Sequence, residues 1–286
     1  MPEFMKEEDR KRLCRATFNL AAEGYDCPAL RFFRTAADLL PGVFVFQGNE
    51  TVLDAATGTG IPAIAMAAHL PCGLVTGVDI SEGMLARGEA KCRQAGIANI
   101  AFRQMDMTAL DFPDHTFDAA NCSFSLCFEE NMAAALRHVA SKVKPGGAVV
   151  TTNLRVGSLS RLMQLMTSQA RKFGLPISPP GWLRLGTAEL NAALFATAGL
   201  TGATVSNHDL GYFLEDTGQY WDVVWNSGFR SLLAPLDRNR LASFRQQFLE
   251  EAGILFAAGG MRLEVEVLIT KGFAAREAGE YRGTTS

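Results

Sequence analysis

The 286-residue sequence lacks the features that mark membrane, secreted or nucleic-acid-binding proteins. No uncharged apolar run approaches the roughly 20 residues that a membrane-spanning helix needs. The segment from Met5 to Arg12 is too charged for a secretory signal peptide. The formal net charge is -3, so nothing indicates the basic face that a phosphate backbone requires. We therefore expect a cytoplasmic protein with no stable membrane insertion and no nucleic-acid partner.

Paired cysteines are also missing. The chain has six cysteines, none of them in a Cys-x-x-Cys pair, and they are scattered through segments with the apolar character of a core. We expect buried free thiols, which suit a reducing compartment, rather than a disulfide framework or a metal site.

Apolar strand segments alternate with helical segments through the middle of the chain. Strands are predicted at 51–55, 74–79, 100–105, 117–122 and 148–154, and late strands at 204–209 and 263–270. Strands separated by helices pair in parallel through right-handed crossovers. These strands are nearly all apolar, as expected where helices cover both faces of a sheet. The sequence therefore predicts an α/β fold with a mostly parallel sheet.

Polar residues stand where the predicted strands end. Asp54 precedes a loop with Gly58 and Gly60, Asp79 ends the second strand, and Asp106 follows the third. Ligands of open parallel sheets bind at the carboxyl ends of the strands. Glycines let the loop turn tightly beside a ligand, and an acid at the end of the second strand can accept hydrogen bonds from a ribose diol.

The charge at Asp54 narrows the kind of ligand. An acid beside a glycine loop opposes a phosphate and favours a ligand with a cationic amino group. Asp106 could accept a hydrogen bond from an adenine amino group, with Met107 as an apolar neighbour. These residues together predict a site for an uncharged nucleoside joined to an amino acid.

The same residues carry a family resemblance. Residues 52–60 resemble the first motif of class I S-adenosylmethionine-dependent methyltransferases, and residues 78–81 are similar to the next motif. Asp106, residues 117–118 and residues 144–147 follow in the expected order. Residues 18–26 resemble the N-terminal segment of the ubiquinone/menaquinone-biosynthesis type. Members of that group often carry a His pair after the fourth strand, where residues 125–128 here read Ser-Leu-Cys-Phe.

The resemblance implies a Rossmann-like fold and a function. The expected activity is transfer of a methyl group from S-adenosyl-L-methionine to a small aromatic or apolar molecule, by a monomer or a homodimer. The residues expected to bind the cofactor are Tyr25, Asp54, Ala55, Gly58, Thr59, Gly60, Asp79, Ile80, Met84, Asp106, Met107, Asn121 and Ser123.

The acceptor site is less constrained by the sequence. Cys127, Asn153 and Arg155 follow the fourth and fifth strands and could line it, and Trp221 and Trp225 could form an aromatic wall; each could equally be structural. Of the four histidines, His208 is the best candidate for a general base, because it follows an apparent strand.

The predicted organisation has five parts. Residues 1–44 form a helical segment that closes over the cofactor, and residues 45–155 form the cofactor-binding core. Residues 156–260 form a helical cap with a core strand near 204–209. Residues 261–271 form the final core strand, and residues 272–286 a flexible tail.

Three alternatives remain open. Residues 58–63 also fit the G-x-G-x-x-G/A pattern of NAD-type oxidoreductases, although Asp54 opposes a diphosphate. A nucleic-acid methyltransferase is disfavoured because residues 121–124 contain no proline. A non-catalytic protein that binds S-adenosylmethionine is the third.

Overall fold

The computed structural model describes residues 6–257 and 261–276. Its centre is a seven-stranded sheet with the order β3-β2-β1-β4-β5-β9-β6, and a separate two-stranded sheet joins β7 and β8. The strands are β1 (Thr51–Ala55), β2 (Leu74–Asp79), β3 (Ile100–Gln104), β4 (Phe117–Ser123), β5 (Val143–Leu154), β6 (Thr201–Asp209), β7 (Tyr212–Phe213), β8 (Arg262–Leu263) and β9 (Glu266–Phe273).

The neighbouring strands from β3 to β5 pair in parallel, and β9 runs antiparallel to both β5 and β6. The predicted α/β class and mostly parallel sheet are therefore confirmed. Among the described residues, no helix is both long and apolar enough to cross a membrane.

The helices are capped where the sequence places short polar residues. The Ser81 hydroxyl accepts from the Met84 amide, and the Asn131 side chain accepts from the Ala134 amide. The helices are α1 (Glu7–Ala21), α2 (Phe32–Ala37), α3 (Leu40–Phe44), α4 (Ile61–Ala67), α5 (Glu82–Ala95), α6 (Met132–Ser141), α7 (Ser160–Lys172), α8 (Ala188–Ala198), α9 (Thr217–Trp225), α10 (Arg230–Leu233) and α11 (Arg238–Ala257), with 3₁₀ turns at Pro28–Leu30, Leu126–Phe128 and Gly181–Leu185.

Apolar side chains leave the sheet toward two separate cores. Successive strand residues point to opposite faces, so Val52 joins one core and Leu53 the other. The first core lies under α2–α4, α7, α9 and α11, and the second under α6 and α8. The segment 156–198, predicted to be part of one cap, is thus divided: α7 packs into the first core and α8 covers the opposite face of the sheet.

The predicted starts of the fifth, sixth and final strands are wrong, as is the end of the final strand. β6 begins at Thr201, and the final strand begins at Glu266, because Arg262–Leu263 pair separately with β7. The fifth strand begins at Val143, which pairs with Phe117. The register then shifts, so that the next pair joins Ala119 to Ala148. The final strand runs to Phe273, two residues into the predicted tail, because it pairs with β5 along that whole length. Residues 277–286 of that tail lie outside the described residues.

Candidate active site

The loop after β1 contains two glycines in the left-handed region. Gly58 has φ +57° and Gly60 has φ +78°. A Cβ atom added to Gly60 would lie 2.8 Å from the Phe102 ring, whereas one added to Gly58 would meet nothing within 4 Å. Packing therefore requires a glycine at Gly60, and Gly58 borders open space at the edge of the sheet.

Asp79 is held at the end of β2 by backbone donors. Its carboxylate accepts hydrogen bonds from the Gly58 amide at 2.9 Å and the Ser81 amide at 2.8 Å. Burial raises the pKa of Asp79, although these bonds oppose the rise. The side chain is thus a fixed acceptor with lone pairs left for a ligand.

Asp54 lies behind the same loop. It is fully buried and accepts hydrogen bonds from the Thr57 hydroxyl and, at 2.7 Å, from the Asn121 side chain. Burial raises the pKa of Asp54 to about 6. These two hydrogen bonds connect the loop to β4, so Asp54 holds the loop in place from the interior of the protein.

A cleft opens at the carboxyl ends of β1 to β4, and we call it the large cleft. It encloses about 780 Å³ of empty space, open solvent at its mouth included, which suits a small molecule. The loops after these strands supply much of the lining: Ala56, Gly58, Asp79, Ile80, Met84, Met105, Asp106, Met107, Ser123, Phe124, Ser125, Phe128 and Glu129. Most of these side chains are apolar, and the exceptions are the three carboxylates and the hydroxyls of Ser123 and Ser125.

Helix α1 covers the large cleft through charged contacts. The Lys11 ammonium lies 2.7 Å from Asp106, and the Arg10 guanidinium lies 2.7 Å from Glu130. Asn19 accepts a hydrogen bond from the Gly83 amide at 3.0 Å. Arg10, Lys11, Cys14 and Phe18 consequently line the cleft from above, together with Tyr25.

Asp106 is engaged by these contacts on both oxygens. One oxygen accepts from the amide and the hydroxyl of Thr108, each at 2.8 Å, and the other accepts from Lys11. Burial alone would raise the pKa of Asp106, but the bonds from Lys11 and Thr108 lower it. The carboxylate is therefore ionised near neutral pH and already partnered.

A second, smaller cleft adjoins the first, and we call it the small cleft. The two share Tyr25, Ala56, Gly58, Ser123 and Phe124 in their linings. The Tyr25 ring stacks on Phe33 with 4.9 Å between centroids, and Phe33 meets Phe124 edge-on at 5.0 Å. Burial raises the pKa of Tyr25, so its hydroxyl stays protonated. The small cleft is therefore aromatic on one side and bordered by the glycine loop on the other.

The structure brings most of the predicted cofactor residues together. Those that line the large cleft are Tyr25, Gly58, Asp79, Ile80, Met84, Asp106, Met107 and Ser123. Thr59 lines the small cleft. Ala55, Gly60, Asp54 and Asn121 stand directly behind these residues, in β1, β4 and the loop.

The predicted acceptor residues lie outside both linings. Asn153 donates to Asn191 in the interior, Arg155 pairs with Glu266, and Cys127 packs against Gly181. Trp221 and Trp225 stack on each other at 5.8 Å, and Trp221 also packs on Phe244 and Phe248 within the first core. His208 lies on the edge strand β6, where its ring bonds to Ser206 at 2.9 Å.

Several lining residues were missed by sequence reasoning. The charged N-terminal run that contains Arg10 and Lys11 served only to exclude a signal peptide, and Glu129 carried no motif. Phe33 and Phe124 carried no motif. Only the position of Phe124, just after the fourth strand, signalled a place near the site.

Comparison with known proteins finds similarity over the part of the chain that contains the glycine loop and Asp79. Residues 52–147 match the sequence model of a family described as "Methyltransferase domain". The chain is 40% identical over 107 residues to a demethylmenaquinone methyltransferase of Porphyromonas gingivalis, covering 37% of this chain and 44% of that protein. It is 36% identical over 104 residues to the ubiquinone/menaquinone biosynthesis C-methyltransferase UbiE of Bdellovibrio bacteriovorus, covering 36% and 44%. The match thus spans less than half the length of either relative.

Solved structures share the fold over more of the chain. The [4+2]-cyclase SpnF superposes with a TM-score of 0.59 at 18% identity, covering 93% of this chain and 97% of that one. Phosphoethanolamine N-methyltransferase 2 of Haemonchus contortus, solved with S-adenosyl-L-methionine, gives 0.58 at 16% identity, covering 96% and 62%. The solved structures thus share the fold, and residues 52–147 match the model of a methyltransferase domain.

Proposed function

We propose that this protein transfers a methyl group from S-adenosylmethionine to a small, flat and largely apolar acceptor. The observation that supports this most is the pair of adjoining clefts, which share the glycine loop. One cleft has fixed carboxylates among apolar side chains, and the other has an aromatic wall. Such a pair can hold a nucleoside–amino-acid cofactor beside a second molecule.

The residues of the large cleft fit the cofactor. Asp79 is a rigid acceptor suited to the ribose hydroxyls, and Ile80 and Met107 offer apolar contacts to the base. Asp106 stands at the same end of the cleft as Met107. Gly58 leaves room for the amino-acid end, and the buried negative charge of Asp54 behind it favours a cationic amino group over a phosphate.

The small cleft supports an aromatic acceptor. Tyr25, Phe33 and Phe124 line it and pack against one another, and aromatic rings favour stacked or edge-on contacts with another ring. The names of the matched relatives refer to menaquinone and ubiquinone biosynthesis, and a quinol-like ring fits this wall. Trp221 and Trp225, packed inside the first core, have no acceptor role in this proposal.

The chain's own contribution to the reaction is positioning and exclusion of water. The cofactor, when bound, supplies a methyl group already activated on a sulfonium. Alignment of a bound acceptor can lower a barrier by roughly 7–11 kcal/mol. Helix α1 covers the large cleft and Tyr25 lines both clefts, and with both ligands bound these groups would limit the access of water to the reacting atoms.

No strong base lines either cleft among the described residues. Burial raises the pKa of the Cys14 thiol to about 12, and Tyr25 is protonated for the same reason. His208 on the edge strand contributes to neither lining. We therefore propose an acceptor that exposes its own lone pair near neutral pH, such as an acidic phenol or an enol.

The test is binding followed by transfer. The purified protein should bind labelled S-adenosylmethionine and transfer the label to members of a panel of phenols, quinols and amines. Asp79→Ala should weaken cofactor binding strongly, because it removes the fixed acceptor. Equal binding by wild type and Asp79→Ala would remove the main assignment.

A second candidate is catalysis without methyl transfer. SpnF, which shares this fold, is named as a cyclase, so the fold alone does not define the reaction. Cofactor binding without label transfer to any member of the panel would favour this candidate or a purely binding role.

A further inference from the structure

Glu129 stands on a fixed backbone at the rim of the large cleft. It follows the 3₁₀ turn Leu126–Phe128, and its amide donates to the Leu126 carbonyl at 3.0 Å. Its own carbonyl accepts from the Arg184 guanidinium at 2.7 Å. The partly buried side chain lines the cleft, together with the residues that follow β3 and residues of α1. The backbone that carries this carboxyl group is therefore held by bonds on both sides of it.

The Glu129 carboxyl group differs from the other acids of the cleft in having no partner. Asp79 accepts two amide hydrogen bonds, and Asp106 is occupied by Lys11 and Thr108. Glu130, the next residue, pairs with Arg10. Within residues 6–257 and 261–276 the structure gives the Glu129 side chain no hydrogen bond or ion pair. The Glu129 carboxyl group therefore lines the cleft with its lone pairs free to accept hydrogen bonds from a ligand.

The surroundings of Glu129 indicate which part of the ligand it meets. Burial raises its pKa, the negative charge of Asp106 raises it further, and Lys11 and Arg10 oppose the rise. Glu130, the residue after Glu129, pairs with Arg10, and Asp106 pairs with Lys11, the next residue of α1. Glu129 and Asp106 are therefore on the same side of the cleft, near the carboxyl end of β3. In the proposed function this end holds the base of the nucleoside.

We propose that Glu129 selects adenine by accepting a hydrogen bond from the exocyclic amino group of the base. This inference rests on the proposed function, since it presumes a nucleoside in the large cleft. Asp106 offers at most a shared oxygen there, because Lys11 and Thr108 already engage it. Glu129 offers a carbonyl or carboxylate oxygen with free lone pairs, which matches the donor of adenine.

The experiment compares two nucleosides that differ at that one group. S-adenosylhomocysteine carries an amino group on the base, and S-inosylhomocysteine carries an oxygen there. The wild-type protein should bind the adenine compound at least roughly tenfold more tightly, because hypoxanthine leaves the acceptor unpaired. Glu129→Gln, whose amide can also donate, should reduce that ratio to about two or less, in titration calorimetry.

Matched variants separate this role from others. Glu130→Gln changes the neighbouring acid and should leave the adenine preference intact. Glu129→Asp withdraws the carboxyl group by one methylene and should also reduce the preference. An unchanged preference in both Glu129 variants, or its loss in Asp106→Asn alone, would overturn the proposal. Failure of the wild type to bind either compound would count against the proposed function itself.

Discussion

At the residue scale, Gly58 and Gly60 occupy one loop and adopt similar backbone angles for different reasons. The space around Gly60 is filled by the Phe102 ring, and the space around Gly58 is open to the clefts. A substitution at each position therefore separates the stability of the fold from the binding of a ligand.

The two alanine variants should differ in kind. Gly60→Ala combines overpacking with left-handed strain and should lower the free energy of unfolding by about 2–4 kcal/mol. Gly58→Ala carries only the strain, about 1–2 kcal/mol, and should chiefly weaken cofactor binding. Denaturant unfolding and titration calorimetry measure the two effects. Equal stability losses in both variants would contradict this reading of the loop.

Asp54 should make stability depend on pH in a direction unusual for an acid. Its folded pKa, about 6, lies above the ordinary value near 4. The stability linked to this group is therefore full below pH about 4 and is lost as pH rises through about 6. Relative to Asp54→Asn, the wild type should lose up to about 3 kcal/mol of unfolding free energy between pH 4 and 7.

Urea unfolding at pH 4, 5, 6 and 7 checks this expectation. Asp114→Asn is the control of opposite sign, because Lys142 lowers the pKa of Asp114, and the stability it gives is lost as pH falls. Parallel curves for wild type and Asp54→Asn would show that Asp54 titrates alike in the folded and unfolded chain.

At the element scale, α1 is held over the large cleft by ion pairs and hydrogen bonds to residues distant in sequence. Lys11 reaches both Asp106 and Thr108, the latter at 2.7 Å. Arg15 pairs with Glu82 on α5 at 2.8 Å. Because single ion pairs of this kind contribute little, the helix is held by several weak contacts and can open locally.

Removal of one of these side-chain contacts should therefore increase the local opening of α1. Lys11→Met keeps the apolar stem but loses the bonds to Asp106 and Thr108, and amide exchange in α1 should become about five times faster in the absence of ligand. Arg12→Met is the matched control, since Arg12 is exposed and pairs only with Asp9 on the same helix. Equal exchange rates in wild type and Lys11→Met, measured by hydrogen exchange, would contradict this role.

Elements defined by local sequence could be predicted, and elements defined by contacts between distant residues could not. β1 and β2 match their predicted bounds because an apolar run between turn residues is a local signal. The start of β5 depends on pairing with Phe117, and the place of α8 depends on which face of the sheet remains open. The local sequence therefore predicts neither the start of β5 nor the position of α8.

The same division applies to the site. Asp79 and Gly58 were predictable because strand ends of a parallel sheet meet at one edge. Lys11 lies 95 residues from Asp106, and Phe33 is brought to Phe124 only by tertiary packing. The aromatic stripe of Trp221 and Trp225 was visible in sequence, but its periodicity fits a core as well as a cleft, and the structure uses it for the core.

At the scale of the whole molecule, the large cleft exists only while the sheet and α1 are folded together. A ligand that binds there stabilises the native state by mass action. S-adenosylhomocysteine at about 100 times its dissociation constant should add about 2.7 kcal/mol to the free energy of unfolding. Its increment should be smaller in Asp79→Ala at the same concentration.

Thermal unfolding with and without the ligand measures this increment. NADH, added at the same concentration, is the control for an oxidoreductase and should leave the midpoint unchanged, since its diphosphate is opposed by the buried charge of Asp54. A rise with NADH and none with S-adenosylhomocysteine would favour the oxidoreductase reading.

The position of β9 has a consequence for synthesis of the protein. This strand is translated after every other strand of the large sheet, yet it lies between β5 and β6 and joins them. Until the ribosome has passed residue 273, β5 has an open edge and β6 has no neighbour in the sheet. A nascent chain stalled before that point would expose unpaired backbone groups to other chains. We therefore expect chaperones to stay bound to the chain until β9 has inserted between β5 and β6.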